Sequence, residues 1–225
     1  DGVYTAAEGG VHTASFVRGK VGSLEGTARV RVVPDLPWTF DFQDKAVPIT
    51  WVGARYRHQP RDVDGEQVMV KASTIPKGAR SRAWMGHPDM HDYTIEADVR
   101  GDVQNNKLPD IGLIAQRYTL DLMGAYQQLQ IRSWVPVMRM AKSVDFPWSP
   151  NVWYRMKFRA GIEEIDGKQR AVLRGKVWPR DQAEPDAWTI EAIDESPNLN
   201  GSPGLYGNAK DAEIYLDNIK VYANQ

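Results

Sequence analysis

Tyr126-Gln-Gln-Leu-Gln-Ile-Arg-Ser-Trp134 places Leu129 and Ile131 on one side of an extended chain and Gln128, Gln130, Arg132 and Trp134 on the other. Successive side chains of a strand point to opposite faces, so this alternation marks a β-strand with one face in a core and one outside it. The same period of two recurs on either side of the stretch. Tyr93, Ile95, Ala97 and Val99 alternate with Thr94, Glu96, Asp98 and Arg100. Tyr154, Met156 and Phe158 alternate with Trp153, Arg155, Lys157 and Arg159. Leu173 and Val177 oppose Arg174, Lys176 and Trp178, with Gly175 breaking the apolar row. Near the C-terminus Ile214, Leu216, Ile219 and Val221 flank an Asp217-Asn218 pair.

Turn chemistry separates the runs: Asp64-Gly65, Asp166-Gly167, Asn200-Gly201 and Gly207-Asn208, with Pro60, Pro76, Pro109, Pro147, Pro150, Pro185 and Pro203. No amphipathic helix longer than about two turns emerges. Many short strands between such turns predict an all-β, antiparallel sandwich.

Composition narrows the function classes. The chain has 225 residues with 28 Lys+Arg against 29 Asp+Glu, a net charge of −1, and a pI near 6.5. That balance leaves no electrostatic footprint for nucleic acid. No run approaches ~18 uninterrupted apolar residues, so no membrane-spanning helix is expected. With no cysteine, thiol catalysis, disulfides and Cys-ligated zinc are excluded. The chain opens on Asp1, with no apolar leader-like run, and is read as a processed product or a fragment of something longer.

Residues 1–36 differ in texture from the rest of the chain. They are rich in Gly, Ala, Thr and Val, end in Gly26-Thr-Ala-Arg-Val-Arg-Val-Val33, and pass through Pro34-Asp-Leu-Pro37 into Trp38. This segment is too short to bury a core alone. The expected division is a partial β segment with a Pro-rich linker over 1–36 and one large sandwich over 37–225.

Several phrases of the sandwich carry a family resemblance: Leu36-Pro-Trp-Thr-Phe-Asp-Phe-Gln-Asp44 with Pro48-Ile-Thr-Trp51, Tyr93 to Val99, Asp110-Ile-Gly-Leu-Ile114, Val152 to Lys157, Gly201 to Gly207 and Ile214 to Val221. Together they resemble concanavalin A-like, laminin-G-like jelly-roll modules. Such modules occur at the C-terminus of large exported planctomycete-type bacterial proteins, where they follow the end of a bacterial immunoglobulin-like domain and a pyrroloquinoline-quinone-type β-propeller. No propeller repeat is present here, so neither the propeller nor its cofactor carries over. The resemblance implies an extracellular, cell-surface or periplasmic location, and residues 1–36 resemble the end of the immunoglobulin-like domain. The superfold hosts lectins, glycosidases and spacers alike, so function has to be argued from sites.

The polar sides of the strands are the richest candidate. If the strands are neighbours in one sheet, Gln128, Gln130, Arg132, Trp134, Trp153, Arg155, Lys157, Arg174, Lys176 and Trp178 share one surface, which Arg117 joins. Aromatic rings stack on sugar C–H faces, while amides and guanidinium groups bond hydroxyls. The expected function is therefore a non-catalytic accessory module binding a glycan, with the cations suited to an acidic one. The competing reading pairs these cations with Glu96 and Asp98 across strands, giving a solvated, structural or domain-docking face. A third reading makes Glu96 and Asp98, about 6–7 Å apart on one strand, a glycosidase pair. The Glu-x-Asp-x-x-Glu spacing of family-16-type glycosidases is broken, because Gly101 stands at its last position.

Asp41 and Asp217, in the first and last strands of the sandwich, are expected to converge, and relatives of this resemblance hold a structural Ca2+ there. The alternative makes Asp217-Asn218 a bulge. His87 and His91 have zinc-helix spacing, but Pro88 between them favours a loop.

Overall fold

The computed structural model describes residues 3, 5, 10–72, 80–133, 138–209 and 212–225. Among them no helix occurs, and every registered strand pair is antiparallel. In chain order the strands are β1 (Thr13–Val21), β2 (Leu24–Val32), β3 (Trp38–Phe40), β4 (His58–Val63), β5 (Glu66–Lys71), β6 (Arg80–Trp84), β7 (Tyr93–Gly101) and β8 (Asp110–Ala115). They continue as β9 (Tyr118–Met123), β10 (Gln128–Ser133), β11 (Ala141–Asp145), β12 (Tyr154–Ile165), β13 (Lys168–Pro179), β14 (Ile190–Asp194), β15 (Gly204–Asn208) and β16 (Ile214–Ala223).

Two sheets make the sandwich. One has six strands in the order β11-β10-β9-β8-β15-β6; the other has eight in the order β14-β13-β12-β7-β16-β5-β4, with β3 pairing β16. The alternating apolar residues face inward. Ile111, Leu113, Leu120, Leu122, Leu129 and Ile131 from the first sheet meet Ile95, Val99, Met156, Phe158, Leu173 and Leu216 from the second, all buried in one core. The expected antiparallel jelly-roll sandwich is what forms.

Local chemistry accounts for most of the joints. Asp64 and Gly65 both take positive φ (56° and 85°) between β4 and β5, as do Asp166 and Gly167 (53° and 72°) between β12 and β13. Two consecutive left-handed residues make the tight hairpin whose twist matches the strands. Gly207-Asn208, expected as a turn, instead ends strand β15. Pro60 lies within β4, the last strand of its sheet, where a missing N–H leaves no inner ladder bond unmade.

Residues 13–32 form a separate two-stranded sheet. Its register puts Val17, Val21, Leu24 and Ala28 on one face and Phe16, Arg18, Arg29 and Arg31 on the other. Val17, Val21 and Leu24 are exposed. The hairpin meets the sandwich at its base, where His12 packs edge-on against Trp38 at 5.2 Å, bonds the Thr50 hydroxyl at 2.9 Å, and Arg29 donates to the Ile49 carbonyl.

The break in the apolar row at Gly175 has a packing cause. A Cβ there would stand 2.5 Å from Leu120 Cδ1 of the opposite sheet, so the missing side chain is the socket for Leu120. Gly175→Val is expected to lower the unfolding free energy by about 1–3 kcal/mol through overpacking, and Leu120→Ala by about 2–5 kcal/mol. Urea denaturation of the double variant should give less than the sum; strict additivity would mean the two positions do not share space.

Candidate functional site

The two-sheet division separates the polar residues that a single surface was expected to hold. Trp153 precedes β12, Arg155 and Lys157 lie on it, and Arg174, Lys176 and Trp178 lie on β13, all in the eight-stranded sheet. Gln128, Gln130 and Arg132 lie on β10 of the six-stranded sheet. Leu129 and Ile131 point into the shared core, so the β10 polar side faces away from the other group. Trp134 lies outside the described residues. Arg117 sits exposed at the β8–β9 turn with φ 66°. The expectation of one shared surface is therefore corrected.

On the eight-stranded face, carboxylates meet the cations in register. Arg155 lies opposite Asp98 and Lys157 opposite Glu96. Arg155 donates to Asp98 through Nε at 2.7 Å and Nη2 at 3.1 Å. Lys157 bonds Glu96 at 3.0 Å and Glu184 at 2.9 Å, and Glu184 also takes Lys176 at 2.7 Å. Arg174 reaches Glu191 at 2.9 Å and Glu163 at 3.5 Å. Burial works against the charge of Lys157, yet its bonds to Glu184, Glu96 and Tyr222 hold its pKa above the ordinary lysine value. Trp178 is buried at 5% exposure, and Trp153 lies between the Arg180 and Arg100 guanidiniums, 4.7 and 5.4 Å from its ring centre.

Glu96 and Asp98 consequently do not make a free carboxylate pair. Asp98 is fully buried and also accepts from Asn218 Nδ2 at 3.0 Å, while Tyr222 donates to Glu96. Both Asp98 oxygens and Glu96 Oε1 are thus bonded within the sheet, by Arg155, Asn218, Lys157 and Tyr222.

The six-stranded face is organised differently. Its register aligns Ser143, Gln130, Asp121, Gly112, Tyr206 and Arg82 in one row, and Arg132, Thr119, Ile114, Gly204 and Trp84 in the next. Cross-strand partners share a face, so these residues all point outward. Arg132 pairs with Asp121 at 2.7 Å, both nearly inaccessible, and its guanidinium lies 5.0 Å from the Tyr206 ring centre. Asp121 Oδ1 is buried without a partner. Burial pushes the Asp121 carboxyl up to about 6, against the pull of Arg132.

Two glycines make room for the rings. A Cβ on Gly112 would meet Tyr206 Cδ1 at 3.0 Å, and one on Gly204 would meet Trp84 Cε3 at 3.0 Å. The half-buried Trp84 and the Tyr206 ring then line a cavity of about 360 Å³ with Arg57, Arg80, Ser81 and Arg82. A larger groove of about 570 Å³ runs from Met140–Lys142 to Glu191–Ile193; it includes Arg174 but has no aromatic lining. Of these two the ring-lined cavity is the better candidate for a sugar; a further cavity of about 640 Å³ between the β1–β2 hairpin and residues 44–55 also has aromatic lining, from Phe16 and Trp51. Trp84, Tyr206, Arg82 and Asp121 escape the sequence reading. The signal was the alternation in Arg80-Ser-Arg-Ala-Trp84, which sends Arg80, Arg82 and Trp84 to one side.

Strands β3 and β16 do pair, with Phe40 opposite Ile219. Asp41 is exposed and accepts from the Gln43 amide at 3.3 Å; Asp217 is buried opposite Asp98. Asn218, at φ 48° in a bulge, donates to both Asp98 and Asp217 at 3.0 Å. The histidines of the 87–91 loop pair with adjacent acids, His87 with Asp89 at 3.4 Å and His91 with Asp92 at 2.7 Å. Among the described residues, no group of three or more His, Asp or Glu is arranged to hold a metal.

No protein-family model and no curated protein matches the chain in sequence. Solved structures do match in fold. The carbohydrate binding module CBM66 from Bacillus subtilis is 15% identical, with a TM-score of 0.52 over 77% of this chain and 96% of that one. A glycosyl hydrolase family 16 protein from Mycobacterium smegmatis is 14% identical, with a TM-score of 0.53 over 82% and 99%. A structure from work on endo-acting O-glycanases of the human gut microbiota is 10% identical, with a TM-score of 0.51 over 84% and 99%. At these identities the likeness is one of fold, and it agrees with the concanavalin-like jelly roll.

The Asp98–Asp217 pair yields a pH test. Burial, with Asp98 close by, pushes the Asp217 carboxyl up to about 6. The folded chain therefore keeps a proton that the unfolded chain loses above about pH 4, and ionised Asp217 costs stability at neutral pH. Asp217→Asn should stabilise by about 1–3 kcal/mol at pH 7.5. The gain should shrink through pH 6 and vanish near pH 4; a gain independent of pH in urea melts would contradict this origin.

Proposed function

We propose that the chain is a non-catalytic carbohydrate-binding module whose site is the outer face of the six-stranded sheet. The observation that carries this reading is the cavity in which Trp84 and Tyr206 meet arginine side chains on a sheet surface. A half-buried indole offers a sugar a flat apolar face, and guanidinium and amide groups fix its hydroxyls. Gln130 and Gln128 continue the same face along β10 and already bond Ser143 at 3.0 Å and Asp145 at 3.4 Å. Of the residues selected from sequence, Gln128, Gln130 and Arg132 belong to this proposal. The fold shared with a carbohydrate-binding module supports it.

A structural or docking role is favoured for the opposite face, where cross-strand ion pairs neutralise the cations and residues 180–189 close over Lys176, whose Nζ donates to the Pro185 carbonyl at 2.7 Å. The wider setting is part of the same proposal: an accessory module of an exported bacterial protein, outside the cytoplasm, with residues 1–36 as the end of an immunoglobulin-like unit. The exposed apolar side of the β1–β2 hairpin supports a neighbour packing there.

The test is a glycan array followed by calorimetry on the full 225-residue chain. Wild type should bind at least one saccharide, Trp84→Ala should weaken it about tenfold, equivalent to about 1.4 kcal/mol, and Arg174→Gln on the other sheet should leave it unchanged. Equal loss in Arg174→Gln and none in Trp84→Ala would move the site to the eight-stranded face. No saccharide bound at millimolar concentration would remove the lectin reading.

A further inference from the structure

The β1–β2 hairpin has a cationic side. Its register sets Ala14 opposite Arg31, Phe16 opposite Arg29, Arg18 opposite Thr27 and Lys20 opposite Glu25. Cross-strand partners share a face, so Phe16 stands among Arg18, Arg29 and Arg31, on the side away from Val17 and Leu24. None of these three arginines takes part in an ion pair among the described residues. Arg29 donates to the Ile49 carbonyl, and Arg31 Nε is buried without a partner.

That side of the hairpin and residues 44–55 flank the cavity of about 640 Å³. Its apolar wall is Phe16, Val47, Pro48, Ile49 and Trp51, of which Phe16 and Ile49 are 69% and 49% exposed. Arg29 lines it from the hairpin and Arg55 from the sandwich. One carboxylate reaches it, Asp44, whose Oδ1 accepts from the Ala46 amide at 3.1 Å. Burial lowers the pKa of His12, the remaining titratable group of the wall, so that it stays neutral at pH 7. Among the described residues no side-chain amide or hydroxyl lines the cavity.

This chemistry differs from that of a sugar site. A saccharide carries hydroxyls that amides and hydroxyls of a site normally meet, and here the wall is aliphatic, prolyl and aromatic with guanidiniums at its sides. A large apolar side chain fits such a wall, and carboxylates next to it would meet the arginines. The cations also extend beyond the cavity. Arg31 lies opposite Ala14, four residues from Arg18, which is about 13 Å along the strand. That length suits an extended chain rather than a small molecule. Among the described residues β1 and β2 pair only with each other, so each keeps an edge whose N–H and C=O groups can take a further strand.

We propose that the cleft between the β1–β2 hairpin and residues 44–55 binds an extended acidic peptide, with one large apolar side chain against Phe16 and Ile49 and its flanking carboxylates on Arg18, Arg29 and Arg55. The cleft is separate from the sheet face assigned to glycan, and the two readings stand or fall independently.

Fluorescence anisotropy on the full chain would test this with a labelled peptide, Glu-Asp-Phe-Asp-Glu, at low and at physiological salt. Two control peptides replace the four acids by Lys, or the Phe by Ala. The acidic Phe peptide should bind tighter than either control by about tenfold, and its affinity should fall as salt rises. Arg18→Gln, Arg55→Gln and Phe16→Ala, all at exposed positions, should each weaken it by about threefold to tenfold with unchanged thermal unfolding. Arg29 is left intact because it also ties the hairpin to Ile49. Arg174→Gln, on the eight-stranded sheet, should have no effect. Equal affinity for the three peptides, or no response to the three variants, would overturn the proposal, as would no peptide bound at millimolar concentration. Binding of polygalacturonate that depends on Arg18 and Arg55, with no peptide bound, would overturn it in favour of an acidic saccharide in this cleft.

Discussion

The inward packing of Leu120 onto Gly175, and of the rest of the two apolar faces around it, sets the terms for everything outside the core. Once two sheets bury one side each, their remaining sides point in opposite directions, and a strand with period two has no freedom over which way its polar residues go. The outward direction of Gln128, Gln130 and Arg132 is dictated by the burial of Leu129 and Ile131; that of Arg155 and Lys157, by the burial of Met156 and Phe158. The chain therefore carries two outer faces with separate electrostatic arrangements, and they must be understood one at a time.

The eight-stranded face is stabilised chiefly by placement. Asp98 is fully buried, which is costly for an ionised carboxylate unless each oxygen is well bonded. Arg155 supplies two donors and Asn218 a third. The bulge at Asp217–Lys220 is what makes the third possible: Asn218 takes a left-handed φ that asparagine tolerates, and its amide bonds both Asp98 and Asp217. Two like charges opposite each other on adjacent strands are thereby bridged, although Asp217 Oδ1 is left buried without a partner. The six-stranded face keeps one buried pair, Arg132–Asp121, beneath Tyr206, and it too has an orphan oxygen in Asp121 Oδ1.

The fold was legible because alternation is a local property. The runs at 93–99, 128–134, 152–160, 171–178 and 214–221 overlap β7, β10, β12, β13 and β16, and the Asp-Gly turns at 64–65 and 166–167 are hairpins. What alternation cannot carry is which strand lies beside which. The expected Trp, Arg and Gln surface needed β10 and β13 in one sheet, and strand order depends on long-range pairing that no short window contains. The cross-strand reading of Glu96 and Asp98 succeeded for the complementary reason: both lie on β7, and their partners lie on the neighbouring β12. Trp84 went unread because a five-residue strand with small inward residues, Ser81 and Ala83, lacks an apolar row to announce it.

Tryptophan content alone does not locate a stacking surface; what lies beneath and above each ring does. Trp178 is buried, and Lys176 beside it lies 4.8 Å from the Trp188 ring centre and bonds Glu184 and Pro185, so this indole belongs to the cover of the sheet. Trp153 is held between two guanidiniums. Trp84 has Gly204 beneath it instead, where a Cβ would stand 2.5 Å from the Ala83 carbonyl oxygen and 3.0 Å from Trp84 Cε3. A glycine on an outer face buries nothing, and its backbone freedom costs stability in a strand interior. At Gly112 and Gly204 a side chain would meet both neighbouring backbone or side-chain atoms and the Tyr206 and Trp84 rings, and both rings line the cavity with its arginines.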